Sequence, residues 1–396
     1  MNASSEYTAT PMEEPVAVRS GRRLFTIGLP KCNDSAERRF PFTPEGAQML
    51  VEQGFTVRME EHAADSIHYT DNQYRSAGVK VCSRDEAFGC DIVVHLAPLE
   101  VADIRRLRRG ALLLTLFSLC RQSAPSVRAL LDRNVIAVAI DLIKDDRGYR
   151  PFADILAEID GRAAMARASS LLADATHGKG ILLGGVAGIV PCEVTIIGSD
   201  IAACAAARSA SGAGAMVRMF DHDVYRLRDA TRELGPWVVT SALHPRVLQN
   251  ALRTADVVVY TGVAPVPDFG SEVVSQMKRG VIIFDLTHDC GKAFPSLPSI
   301  DLALASPMHI SPTEPSRACY VNAGSAVPRT AAMALSNTFI TMLGQLVDCE
   351  GVTNALKLLP GLQCAAYTFL GKPVNRHIAA IAGMRHVDIN IYLTLS

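Results

Sequence analysis

Short runs of Val, Ile and Leu recur along the chain and are separated by polar segments whose apolar residues return at helical spacing. The run L-F-T-I-G-L-P from Leu24 predicts a first strand. In F-T-P-E-G-A-Q-M-L-V-E-Q-G, Thr43 can cap a helix whose first residue is Pro44, and Gly54 can end it. A threonine oxygen accepts from an otherwise orphaned N–H there, and proline has no N–H to leave orphaned. Further strands are expected at Phe55–Met59, Ile92–Leu96, Ala111–Phe117 and Val135–Ile140, alternating with helices at Asp71–Ala77, Ala102–Arg109 and Ser123–Arg133. Near-continuous apolar strands alternating with helices predict a parallel sheet covered on both faces.

A long amphipathic helix, Asp154–Ala175, then leads through a glycine-rich loop (Gly178–Gly188) into V-T-I-I-G-S-D-I-A-A-C-A-A-A. This stretch predicts a strand (Val194–Ile197), a tight turn at Gly198, an Ala-rich helix to about Ser211, and a second strand (Met216–Phe220) closed by Asp221. Asp221 lies 23 residues after Gly198, close to the spacing at which a dinucleotide-binding fold places its ribose-binding acid. The three glycine positions of that fingerprint fall on Gly198, Asp200 and Ala203, with Ser199 and Ile201 beside the middle one. An aspartate at the middle position adds bulk and like charge where phosphates approach backbone. Strands expected at Trp237–Thr240, Val257–Tyr260, Ile282–Asp285 and Ala318–Asn322 bring the second sheet to six, with helices at Val224–Leu234, Pro245–Thr254 and Ser271–Lys278. Beyond Pro328 the chain is helical again and is expected to return to the first domain.

Composition narrows the function classes. The chain has 396 residues, 49% of them hydrophobic and 20% charged, with room for two domains. A net charge of −1 gives no electrostatic case for nucleic acid or an anionic membrane. The run Arg105, Arg106, Arg108 and Arg109 reads as a solvated helix face. Ten cysteines without a C-x-x-C pair read as reduced thiols of a cytoplasmic protein, and no metal site is expected. The longest apolar run, Ala111–Cys120, is too short to span a bilayer. The polar N-terminal residues read as a loose tail without the apolar core of a secretory signal.

Candidate chemistry gathers at strand ends. Arg39, in the charged loop after the first strand, can clamp a substrate carboxylate with its planar fork, or it can be a solvated loop residue. Asp289, in F-D-L-T-H-D-C-G, can orient water or take a proton; His288 beside it is another titrating group, and a loop cap is the alternative for Asp289. His95 and Ser118 end strands and are expected to face the cleft between domains, with a hydrogen-bonded structural imidazole as the alternative for His95. Ser118 has no evident base beside it, so no hydrolase triad is argued.

Taken together, P-K-x₆-R-R-x-x-x-T-P, G-K-G-I-L-L-G-G-V-A-G, V-T-I-I-G, K-R-G-V-I-I-F-D-L-T-H-D-C-G and A-V-P-R-T-A-A-M-A-L-S-N resemble the alanine dehydrogenase and pyridine nucleotide transhydrogenase α-subunit family. The resemblance runs from Leu24 to the C-terminus. It implies two doubly wound, Rossmann-like α/β domains with a cleft between them. Residues 22–150 rejoined by 328–396 would form the substrate domain, residues 151–327 with helix 154–175 the NAD(P) domain, and residues 1–21 a tail. It also implies oxidative deamination of an amino acid to a keto acid with NAD, NADP being less favoured beside Asp221, in a homo-oligomer.

The resemblance places the carboxylate-binding arginine on Arg39, the catalytic aspartate on Asp289, a cofactor-proximal asparagine on Asn322 and the ribose acid on Asp221. The family's substrate-binding lysine falls on Leu96 or Ala97, another family lysine on His95, and the catalytic histidine on Ser118. Two functions follow from this pattern: an NAD(P)-linked oxidoreductase with an altered substrate, or a catalytically inactive homologue that binds nucleotide or regulates a partner. A transhydrogenase α-like subunit is a third.

Overall fold

Most of the apolar runs form short strands, and the central ones are buried on both faces. In the computed structural model, which describes residues 25–287, 291–304, 317–346 and 352–395, the strands assemble into two sheets. The first contains β1 (Thr26–Leu29), β2 (Thr56–Glu60), β3 (Lys80–Cys82), β4 (Ile92–Val94), β5 (Leu112–Thr115) and β6 (Ile136–Ala139), all paired in parallel. The second contains β7 (Glu193–Ile197), β8 (Met216–Asp221), β9 (Val238–Ala242), β10 (Val257–Tyr260), β11 (Ile282–Asp285), β12 (Ser299–Asp301) and β13 (Cys319–Val321), again all parallel. A C-terminal hairpin, β14 (Ala366–Phe369) and β15 (Lys372–Pro373), adds an antiparallel edge to the first sheet, giving the order β15-β14-β6-β5-β4-β1-β2-β3. The second sheet runs β12-β13-β11-β10-β7-β8-β9, one strand more than the six expected.

Local signals act as expected at the first helix, α1 (Pro44–Glu52): Thr43 Oγ1 accepts from the Gly46 N–H at 3.2 Å. The connector α2 (Pro151–Ala173) starts three residues before the expected Asp154, because Pro151 supplies an N-terminal start. It packs on α3 (Ile201–Gly212) through Gly161, where a Cβ would lie 2.2 Å from the Ala202 carbonyl oxygen. That contact accounts for the alanine-rich α3, in which Ala203, Ala206 and Ala207 are fully buried. α4 (Val224–Leu234) follows β8, and α5 (Pro328–Leu346) returns to the first sheet. There the rings of Phe42 and Phe152 pack at a tilt against Phe339, with centroids at 5.1 and 4.7 Å. Among the described residues no helix is long and apolar enough to cross a membrane.

The arginine run differs from expectation. Only Val101–Ile104 is helical, and Arg106 pairs with Asp85, Arg108 with Asp91, and Arg109 donates to the Asp132 carbonyl at 3.3 Å. All four arginines are exposed, as expected, but they extend from a turn toward three segments of the first domain and not from a helix face.

Candidate active site

Polar residues that end parallel strands point out of the sheet's carboxyl edge, and here the two edges face one another. Between them lies a cavity of about 680 Å³. The first sheet contributes Arg39 after β1, Ser118 after β5 and Asp141 after β6. The second contributes Asp200 after β7, Thr261 after β10 and Asn322 after β13. The β7–β10 boundary is where the strand order of the second sheet reverses, the usual ligand crevice of open α/β sheets. Gly198 turns there with φ +123°, and a Cβ on it would lie 2.0 Å from Thr261 Oγ1, so only glycine fits.

Arg39 is not a solvated loop residue. Its Nε donates to Glu37 Oε1 at 2.8 Å and its Nη2 to Glu37 Oε2 at 2.5 Å, with the two side chains 12% and 4% exposed. Burial opposes the guanidinium charge, but Glu37, with Asp160 and Asp141 behind it, raises its pKa above the ordinary value. The side-on pairing uses the Nε and Nη2 edge and leaves the Nη1–Nη2 end of the fork for a second carboxylate.

Asn322 ties the two sheets together. From a left-handed backbone (φ +61°), its Nδ2 donates to the Ala36 carbonyl at 2.7 Å and to the Asp301 carboxylate at 3.1 and 3.3 Å. Ser325 Oγ donates to the same carbonyl at 3.0 Å and accepts from the Arg38 N–H at 3.0 Å. The Arg39 loop is thereby stitched to a segment 286 residues away.

His95 does not line the cleft. β4 ends at Val94 and the chain turns inward, leaving His95 6% exposed with Nδ1 2.6 Å from the Ala97 carbonyl oxygen. Burial holds its imidazole below the ordinary pKa, and its Nε2 has no hydrogen-bond partner among the described residues. The structural alternative is the one observed. Leu96 and Ala97 are buried apolar positions, 2% and 1% exposed. Ser118 does line the cleft, in a left-handed conformation (φ +35°) beside Cys120 and Arg121. His288 and Asp289 lie outside the described residues.

The nucleotide fingerprint divides between two spaces. Asp200 and Asn322 line the cleft, whereas Ser199 and Ile201 line an adjoining groove of about 370 Å³ between α3 and α4, which Asp200 also reaches. Asp221 is 3% exposed, and it accepts from Ser199 Oγ at 2.6 Å and from the Asp223 N–H at 3.0 Å. Asp200 caps α3, its Oδ1 accepting from the Ala203 N–H at 2.9 Å. Burial pushes the Asp200 carboxyl up from the ordinary carboxylate range, against the pull of that N–H.

Models of both halves of one family match the chain: "Alanine dehydrogenase/PNT, N-terminal domain" over residues 28–159 and "Alanine dehydrogenase/PNT, C-terminal domain" over residues 164–376. The chain belongs to the alanine dehydrogenase/PNT family. It is 29% identical over 373 residues to an alanine dehydrogenase of Staphylococcus haemolyticus, covering 92% of this chain and 98% of that one. It is 28% identical over 379 residues to alanine dehydrogenase 2 of Staphylococcus aureus (strain Mu50), covering 93% of this chain and all of the other. Among solved structures it is similar to an L-alanine dehydrogenase (TM-score 0.77, 25% identity, 90% of this chain and 98% of that one). In fold it is also similar to a transhydrogenase from Sinorhizobium meliloti (TM-score 0.70, 18% identity, 89% and 99%).

A dinucleotide expected of an alanine dehydrogenase/PNT member can be tested against these residues. The Gly198 turn fits it, and Asp221 stands at the expected end of β8, buried and held by Ser199 Oγ. The pyrophosphate would meet the N-terminus of α3, where the Asp200 carboxylate already takes the Ala203 N–H. A like charge at Asp200 would weaken pyrophosphate binding there, and a neutral Asp200 would not.

Sequence reasoning missed most of the cleft's acids: Glu37, Asp141, Asp160, Asp285 and Asp301 all line it. The available signal was positional, since Asp285 and Asp301 close strands β11 and β12 at the carboxyl edge. Asp160, on α2, carried no such mark; it accepts from the Gly324 N–H at 2.7 Å.

Proposed function

We propose that the chain is a nicotinamide-dependent oxidoreductase of an amino acid or its keto acid, with the substrate carboxylate on the free end of the Arg39 fork. The observation that carries this reading is Arg39, held side-on by buried Glu37 while lining a cavity of about 680 Å³ at the carboxyl ends of both sheets. A bound nicotinamide would supply the hydride acceptor. The side chains would then position the carboxylate (Arg39), hold the two domains together around it (Asn322 on Ala36) and move one proton. Ser118 and the buried Leu96 and Ala97 offer no base and no ammonium, so proton transfer would be taken by a carboxylate, Asp289 or one of the cleft acids such as Asp285, together with solvent. A site without the family lysine and histidine is not fitted to the same substrate as its relatives, so a different amino acid is the expected partner. The short Asp221 carboxylate favours a free ribose 2′-hydroxyl, hence NAD over NADP.

A second reading has one observation in its favour. A carboxylate capping α3 suits a homologue that binds nucleotide weakly or serves as a regulatory subunit. Mixing the protein with NAD and a panel of L-amino acids while following nicotinamide absorbance separates the two. Amino-acid-dependent reduction supports the enzyme, and binding without turnover across the panel supports the regulatory subunit.

A further inference from the structure

We propose that dinucleotide binding by this chain is coupled to the uptake of one proton by Asp200, the residue that stands between the cleft and the groove beside α3. The inference rests on the reading that the ligand is a nicotinamide dinucleotide. α3 is 12 residues long, and the N–H groups of its first turn are the natural seat of a pyrophosphate. Asp200 Oδ1 already takes the Ala203 N–H at 2.9 Å.

The charges around Asp200 give an anion little help. Asp221 on β8, Asp229 on α4 and Glu158 and Asp160 on α2 are acidic, as are Asp285 and Asp301 on the same sheet edge and Glu37 and Asp141 across the cleft. Of the cations, Arg226 on α4 lies 3.9 Å from Asp221, and Arg208 on α3 pairs with Glu233 at 2.5 Å. Arg226 and the Thr261 hydroxyl favour an ionised Asp200, but burial outweighs them, and an ionised Asp200 would repel a pyrophosphate at short range. A neutral Asp200 carries an O–H that can donate to a phosphoryl oxygen, which turns the repulsion into a hydrogen bond. Burial already favours that neutral form. Binding therefore draws a proton from solvent, and affinity falls as pH rises.

Isothermal titration of the full-length protein with NADH, from about pH 5.5 to about pH 8.5 in buffers of differing ionisation heat, reads this directly. Asp200→Asn keeps an equally good helix cap and removes the charge; Asp200→Ser is a second variant of the same kind, and melting curves check that each folds. The wild type is expected to lose up to about tenfold in affinity per pH unit while taking up one proton. Asp200→Asn is expected to bind at the wild type's low-pH affinity throughout, without proton uptake. Equal, pH-independent affinities for wild type and variants overturn the inference and leave the dinucleotide reading intact. A tighter variant beside a wild type with no pH dependence also overturns proton coupling, as does the same pH slope in both. No binding by any form at millimolar NADH overturns the inference and the reading together.

Discussion

The Glu37–Arg39 pair gives the sharpest prediction about how the site is built. Glu37 Oε1 accepts from Arg39 Nε at 2.8 Å and from the Arg39 backbone N–H at 3.0 Å, and Oε2 accepts from Nη2 at 2.5 Å. Hydrogen bonds to a charged group contribute about 1.5–3 kcal/mol each when removed. Glu37→Gln keeps one acceptor but sets an NH₂ against Nη2, so it should destabilise by about 2–4 kcal/mol. Arg39→Met leaves a carboxylate that is only 4% exposed without its cation and should cost about 3–5 kcal/mol. Replacing both by methionine should cost clearly less than the two single changes added together, a coupling of at least about 2 kcal/mol. Urea unfolding followed by circular dichroism measures the cycle. In turnover, Glu37→Gln should raise KM for the carboxylate substrate more than it lowers kcat, because Glu37 positions the arginine without touching the reacting atoms. A coupling below about 0.5 kcal/mol would refute the argument that the pair is one buried unit.

Three further outcomes are expected. Gly161→Ala places a methyl 2.2 Å from the Ala202 carbonyl oxygen, so α2 and α3 must part; thermal melts should show a loss of about 2–3 kcal/mol. The His95 imidazole is held below its ordinary value of 6.5, so the unfolded chain binds its proton first. Stability should accordingly be full above that pH and fall below it by up to about 1.4 kcal/mol per pH unit, and His95→Gln should flatten the fall in urea midpoints. Asn322→Gly and Asn322→Ala both remove the 2.7 Å bond to Ala36, but alanine keeps a Cβ at φ +61° that glycine relieves. Alanine should therefore be the more damaging by about 1 kcal/mol in unfolding midpoint, and small-angle scattering should show both variants more open than wild type.

Much of the fold was legible because its signals are local. Thr43 and Pro44 announce α1, and Gly198 announces the β7 turn that the Thr261 hydroxyl makes obligatory. Strands of three or four residues with ordinary composition left no such mark. Ser299–Asp301 is only partly buried and has one apolar residue, and Ala366–Phe369 follows a helix without a turn residue; its partner strand is set by the Leu370–Gly371 hairpin, both residues at positive φ. The arginine run was legible as exposed but not as a turn, because its partners, Asp85, Asp91 and Asp132, are 17 to 23 residues away. The site was legible as residue types and not as relationships. Arg39 was found, but its bond to Glu37 and the reach of Asn322 to Ala36 arise only when the two sheets face one another. His95 ends a strand like any cleft residue, and only the inward turn at Leu96 and Ala97 buries it.

The central claim is that a carboxylate substrate on Arg39 is oxidised by a nicotinamide dinucleotide in this cleft. The most direct measurement is reduction of NAD by the purified protein in the presence of an L-amino acid panel, for wild type, Arg39→Met and Asp200→Asn, below neutral pH. The account predicts amino-acid-dependent reduction by the wild type and Asp200→Asn, and its loss in Arg39→Met. Absence of reduction with every amino acid in both wild type and Asp200→Asn, or undiminished reduction in Arg39→Met, would contradict it.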